Sequence, residues 1–427
     1  MTMRAPNLPY RNTRFLGWDV NDMTAWLTGL LSLFYVTWGG QLYLGEIVLI
    51  GLAPLLLVQR GRALFRNRHT RIFLLLGGLW FGAQILTDLA RHTPTADLVR
   101  GWSSIGVFLT SAASLYLLTA NQMKRITIFG AGYLVSNLAA LWLQPSPYFN
   151  NEPWKFGFGL PLTLLLFLLV SLNSRKQPGQ AAGWLGALIF LSLTSIYLGA
   201  RALGALTAMS AIFLWLRFAP LTKHWLARAQ VKNLLFLLLI FAVSGLGLLQ
   251  GYVFAAQQNW LGNTARQKLE TQYNGSLVGI LVSGRADTFI SIQAILDSPW
   301  LGHGSWAKNA DYRLYYYKIR DMGYQINLAR MENYVSRSDL IPAHSHLTQA
   351  WVWSGLAGAL FWGWIGLFIL QTLLTANQRP NQLYPLLIFL ALSGLWDIFF
   401  SPFGSSMRLL WAFRFVIFLL AHQPQKQ

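Results

Sequence analysis

Along the chain, apolar stretches follow one another with short polar joints and one long polar interruption. Apolar runs near residues 23–38, 41–58, 72–89, 102–120, 126–143, 157–172, 183–200, 202–219, 233–255, 347–373, 383–400 and 408–421 approach the roughly 17–25 residues an α-helix needs to cross a bilayer. The pattern predicts an all-α polytopic membrane protein of about 12 transmembrane helices, with both termini on one side. The interruption, Gln257 to His346, divides the chain into helices 1–9 over residues 1–255, a large loop over 256–346, and helices 10–12 with a tail over 347–427. In the loop, Phe289, Ile292, Ile295 and Leu296 recur at helical spacing. They predict a short amphipathic helix over Asp287–Leu296 that stops before Pro299. A second helical region is expected from Asp311 to Val335, rich in tyrosine and interrupted at Gly323, so the loop as a whole is expected to be mostly helical. No internal repeat or low-complexity segment is present.

Composition strengthens the membrane reading, because 54% hydrophobic and only 11% charged residues, with a mean hydropathy of +0.42, describe a chain that cannot expose its surface to water. Charge adds topology. The net +19 comes from Lys and Arg gathered on alternate joints: Arg60, Arg62, Arg66, Arg68 and Arg71 after the second run, Lys124 and Arg125 after the fourth, Arg175 and Lys176 after the sixth, Lys223, Arg228 and Lys232 after the eighth. Short loops bearing Lys and Arg stay in the cytoplasm, which sets the large loop on the other face, the periplasm of a Gram-negative inner membrane. Met1 to Asp22 carries Arg4, Arg11 and Arg14 without the features of a signal peptide, and is expected to lead into the first span from the cytoplasm. No basic, aromatic-interleaved soluble domain exists, so a nucleic-acid partner is excluded; membrane lipids and pyrophosphates are the expected anions. The absence of cysteine excludes disulfides and thiolate metal sites.

Candidate chemistry lies on the loop face. A phosphate-bearing lipid donor needs cations at the membrane surface, and the planar fork of arginine grips phosphate oxygens through two hydrogen bonds. Arg201 stands in the tight turn between the seventh and eighth spans; Arg285 stands where the loop's first helix begins, a position whose free N–H groups also favour an anion. The competing reading makes Arg201 a snorkelling residue and pairs Arg285 with Asp287 or another loop carboxylate. Histidine is the natural general base near neutral pH. His92, His303, His344 and His346 lie on this face, and His344 immediately precedes the tenth apolar run. The alternative for His344 or His346 is a helix cap or a solvated side chain. A zinc site on His344, His346 and His303 lacks any cysteine or acidic ligand at a familiar spacing, so no metal and no cofactor is expected.

Three blocks in order carry a resemblance: Arg201, then Ser283-Gly284-Arg285 leading to Pro299-Trp300-Leu301-Gly302-His303-Gly304, then His344-Ser345 followed after nine residues by Gly355 and Gly358. They resemble the O-antigen ligase and polymerase superfamily of bacterial membrane glycosyltransferases over about residues 195 to 365. The chain departs from that pattern at Ala200 and Ala202, where the family often has Ser and Gly, and at Phe289, where Trp is common. The resemblance implies an O-antigen ligase. Polysaccharide would pass from an undecaprenyl pyrophosphate donor to a sugar hydroxyl of a lipid A-core acceptor, with Arg201 and Arg285 binding the pyrophosphate and His344 as base. His346, His303 and Tyr312, Tyr315 and Tyr316 would orient sugar rings. An O-antigen or exopolysaccharide polymerase and a protein oligosaccharyltransferase share these requirements. A transporter would instead expect paired ionisable residues or broken helices near the bilayer midplane, for which Glu46, Arg414, Asp88 and Asp397 are the candidates.

Overall fold

The structure, a computed structural model, describes residues 17–37, 40–145, 147–173, 181–218, 231–270, 273, 286–323, 339–378 and 380–422. Helix α1 (Val20–Leu30) leads into a small hairpin, β1 (Tyr35–Thr37) and β2 (Gln41–Tyr43). Then come α2 (Leu44–Arg60), α3 (Arg62–Arg66), α4 (Arg68–Ala90), α5 (Thr95–Thr119) and α6 (Met123–Leu143). A π-helical turn at Trp154–Phe158 starts α7 (Gly159–Asn173), followed by α8 (Ala181–Tyr197), α9 (Arg201–Phe218) and α10 (Val231–Gln257). The loop contributes α11 (Gly262–Glu270), α12 (Ala286–Asp297) and α13 (Arg313–Asp321). The chain finishes with α14 (His346–Ser354), α15 (Leu356–Gln378), α16 (Tyr384–Phe400) and α17 (Arg408–Ala421). Five helices among the described residues are long and apolar enough to cross a membrane: α4, α5, α6, α7 with its π turn, and α15. The chain is a mostly helical membrane protein.

The bundle closes around α17, every residue of which is buried; a helix that is apolar nearly all round finds its place inside others. It packs on α5, α16, α15 and α6. Its two arginines are matched within the bundle: Arg408 Nε and Nη2 lie 2.6 and 2.7 Å from the carboxylate oxygens of Glu46 on α2, and Arg414 Nη1 lies 2.7 Å from Asp397 on α16. Helices α1 and α6 cross through glycines. A methyl on Gly29 would fall 2.4 Å from the Phe129 carbonyl oxygen and one on Gly132 2.6 Å from that of Trp26.

Two sequence expectations change. The apolar run 23–38 is not one helix: α1 ends at Leu30, and the aromatic and β-branched residues beyond it pair as an antiparallel hairpin, Tyr35 with Tyr43 and Thr37 with Gln41. Such residues are as apolar as a span but suit a pleat, and Arg408 Nη2 secures the hairpin by donating to the Gln41 carbonyl. The run 347–373 is divided at Gly355, whose φ of +65° and ψ of −154° belong to a region essentially reserved for glycine. Helix α12 forms where expected. The second loop helix ends at Asp321, with Gly323 in the left-handed region at φ +89°; its expected continuation to Val335 lies outside the described residues.

What fastens the loop to the bundle is the Pro-Trp-Leu-Gly-His-Gly segment. His303 and Gly304 donate backbone N–H groups to the carbonyls of Val352 and Trp353 at the end of α14, and Leu356 N donates to the Trp300 carbonyl. The approach requires glycine on both sides: a methyl on Gly302 would come 2.6 Å from the Gly355 nitrogen, and one on Gly355 would come 2.0 Å from the Trp300 oxygen. Beneath this contact lies the carboxylate of Asp88 on α4, 1% exposed. Its Oδ1 accepts from Ser305 N at 2.6 Å and Thr93 Oγ1 at 3.0 Å. Its Oδ2 accepts from Trp102 Nε1 at 2.8 Å, Ser305 Oγ at 2.8 Å and Gln84 Nε2 at 3.3 Å. Arg91 adds bonds from Nε to the Gly302 carbonyl and from Nη2 to Ser298 Oγ.

Replacing Asp88 by Asn turns one acceptor into a donor among five donors, and each buried donor left unsatisfied costs about 1–3 kcal/mol. Asp88→Asn is expected to lower the unfolding midpoint of the detergent-solubilised protein markedly, and Ser305→Ala by much less. A midpoint for Asp88→Asn equal to that of the unaltered protein would remove the carboxylate from this role.

Candidate active site

His344 lies at the end of a segment held from several directions. Ile341 N donates to the Ala307 carbonyl, Lys308 and Leu340 form an isolated bridge, and Ser291 Oγ on α12 donates to the Pro342 carbonyl. Ser345 then caps α14, its side chain accepting from Thr348 N at 2.9 Å, as an extended serine before a helix is suited to do. The cap fixes His344 on the loop surface, with its side chain half exposed.

There His344 Nδ1 lies 3.6 Å from Asp287 Oδ2. The other oxygen of Asp287 accepts from the Tyr316 hydroxyl at 2.5 Å. One row therefore runs Tyr316, Asp287, His344, drawing its members from α13, α12 and the residue before the α14 cap. Tyr316 itself is 2% exposed and belongs to the small core formed with Ala286, Ile290, Ala294, Ile295 and Val352, so the row has a packed base and an open end. A carboxylate beside Nδ1 favours the tautomer that keeps its proton there and leaves Nε2 as the basic nitrogen. A neighbouring pair ties the loop helices together, the Tyr312 hydroxyl donating to Asp297 Oδ2 at 2.6 Å. That bond holds the Asp297 carboxyl below the usual range, while burial and the same carboxylate push the Tyr312 hydroxyl up.

The other two expected histidines have different partners. His346 is fully buried, its ring between Trp362, Phe403 and Trp411. Trp411 Nε1 can only donate, so the 2.6 Å contact makes His346 Nε2 the acceptor and gives the Nδ1 proton to the Ser401 carbonyl at 2.5 Å. With both nitrogens occupied inside the bundle, His346 is a core residue rather than a sugar contact. His303 is partly buried; its Nε2 donates to the Ala294 carbonyl at 2.7 Å, so this ring ties the glycine-rich segment to α12. Hence the three histidines weighed for zinc do not share a site, and among the described residues no group of three His, Cys, Asp or Glu is placed to hold a metal. Arg201 begins α9 and sets its guanidinium 4.8 Å from the ring centre of Tyr252 on α10. Arg285 lies outside the described residues; the helix it precedes, α12, is the one that carries Asp287. Tyr315 stacks on Tyr312 and lies under Lys318.

From the sequence, Asp287 suggests itself only as a possible partner for Arg285, since nothing in the spacing between residues 287 and 344 announces their meeting. The span carboxylates offered for a transporter have other employment: Glu46 holds Arg408, Asp397 holds Arg414, and Asp88 holds the loop. A small cavity bordered by His346, Gln84, Gln349 and Trp353 measures about 10 Å³, room for water and not for a sugar. Comparison with family models, with curated proteins and with solved structures finds no match to this chain.

Proposed function

We propose that the protein is a lipid-linked-donor glycosyltransferase of the O-antigen ligase type. The observation that carries this reading is the half-exposed imidazole of His344 beside the Asp287 carboxylate, at the surface of a loop fastened to the ends of membrane helices. In the proposed reaction the acceptor hydroxyl of lipid A-core gives its proton to His344 Nε2 as its oxygen attacks the anomeric carbon of the donor glycan. The bond from that carbon to the pyrophosphate oxygen breaks, undecaprenyl pyrophosphate leaves with the electron pair, and the anomeric centre inverts. Asp287 orients the ring and balances the imidazolium that forms, while Arg285, two residues earlier, and Arg201 meet the charge developing on the leaving group. This proposal includes a polytopic arrangement with the loop in the periplasm of a Gram-negative inner membrane. A polymerase would use the same donor and the same base, with a growing glycan as acceptor.

With purified protein and both lipid substrates, His344→Ala is expected to lower transfer by on the order of 10²–10⁴ with donor binding intact; full activity in that variant ends the base assignment. Asp287→Asn is expected to lower turnover by about 10-fold or more with little change in KM, as suits the loss of the negative charge that balances the imidazolium formed in the reaction. The same change in a His344→Ala background should have no further effect, so an equal loss in both backgrounds would mark Asp287 as merely structural. Arg285→Ala is expected to weaken donor use, and unaltered donor kinetics would exclude it from the pyrophosphate. In a deletion strain, loss of the long-chain lipopolysaccharide ladder selects ligase, whereas a core bearing one repeat unit selects polymerase.

A further inference from the structure

Helix α12 has a second face that the chemistry does not use. Its buried side is Ala286, Ile290, Ser291, Ala294 and Ile295. On the opposite side Phe289 and Ile292 are each 47% exposed and Leu296 is 67% exposed, and just past the helix Trp300 is 77% exposed. At ~100° per residue, Phe289, Ile292 and Leu296 fall within ~60° of one another, with Asp287 ~160° from Phe289. The stripe is thus continuous, large and apolar, and lies on the reverse of the face that meets His344. Single exposed apolar residues need no explanation, but a contiguous stripe on one helix does.

Its height relative to the bilayer is fixed by hydrogen bonds. The turn that follows α12 is bound to the ends of two helices long and apolar enough to span: the Trp300 carbonyl accepts from Leu356 N, the first residue of α15, and the Leu301 carbonyl accepts from Thr87 Oγ1, near the end of α4. Leu86 and Leu89, within two residues of Thr87, are 65% and 58% exposed, so an apolar surface of α4 rises to the level of the turn. A tryptophan at the end of a span and an amphipathic helix beside it are what the boundary between hydrocarbon and headgroups accommodates. We infer that α12 lies on the membrane surface, with Phe289, Ile292, Leu296 and Trp300 immersed among the lipids of the leaflet on the loop side. The occupant of this face is lipid, because the stripe adjoins the span ends. A soluble protein partner or another segment of the chain is the competing occupant, and the experiment separates them.

The chain contains no cysteine, so single nitroxide labels can be placed without altering the background. Full-length Phe289→Cys, Ile292→Cys, Leu296→Cys and Trp300→Cys variants, with Asp321→Cys as an exposed polar control, would be labelled and reconstituted into bilayers of phosphatidylethanolamine and phosphatidylglycerol. Collision rates would then be measured with oxygen, which concentrates in hydrocarbon, and with a nickel chelate, which stays in water. The expected ratio of oxygen to nickel collisions is several-fold higher at the stripe positions than at position 321. Nickel-dominated collisions at the stripe would place it in water, and low rates with both reagents would show it covered by protein; either result overturns the inference. Four positions read the same face, so failure of one variant to fold leaves the others to decide. None of these outcomes depends on whether the protein transfers a glycan.

Discussion

The buried carboxylate of Asp88 is the constraint from which the arrangement of the loop follows. A carboxylate removed from water needs its lone pairs filled, and here five neutral donors fill them, two of them from Ser305 of the loop and three from α4, α5 and the joint between them. Because Ser305 follows the glycine-rich segment directly, satisfying the carboxylate draws that segment onto the bundle. The same step presents the carbonyls of Trp300, Leu301 and Gly302 to Leu356, Thr87 and Arg91. A polar requirement inside the bundle thus specifies where an otherwise polar loop sits.

Glycine makes the contact possible at a distance no other residue permits. Gly101 on α5 faces the Ser305 hydroxyl so closely that a methyl would lie 1.8 Å away, and Gly304 is crowded by Thr93 and Asp88 in the same manner. The glycines of the two sequence blocks, Gly302 and Gly355, prove to be opposite sides of one backbone contact. Their presence in both blocks is a packing requirement, and it joins the Pro299–Gly304 segment to the helix that His344 precedes.

Much of this was legible and some was not, for reasons that can be named. The period of Phe289, Ile292 and Ile295 located α12 because an amphipathic helix writes itself in short-range spacing. It did not reveal which apolar side is covered: Ile295 is buried, whereas Phe289, Ile292 and Leu296 face outward. The run 23–38 misleads because hydropathy does not distinguish a span from a short helix followed by a hairpin of Tyr, Val and Thr. His344 and His346 are alike by composition and only two residues apart. What separates them is the Ser345 cap, which turns one ring to the surface and the other toward Trp411 and Ser401, more than fifty residues away. The meeting of Asp287 with His344 is likewise nonlocal.

Helix α12 joins these observations physically. It runs over twelve residues, and its two faces have opposite preferences, one apolar and exposed, the other bearing Asp287 and packed on α14. With lipid on the first face, as inferred above, α12 would hold the carboxylate–imidazole pair on the other at a height set by the membrane. In the proposed transfer, a lipid-borne donor and a lipid-borne acceptor would both present their sugars at a height set by their anchors in that same surface. The constraint on both substrates would then be one of elevation and orientation, which an interfacial helix would satisfy without a deep pocket. Alignment of this kind supplies much of what a reaction between two anchored molecules lacks, since the translational freedom each would have to surrender is already restricted by the bilayer.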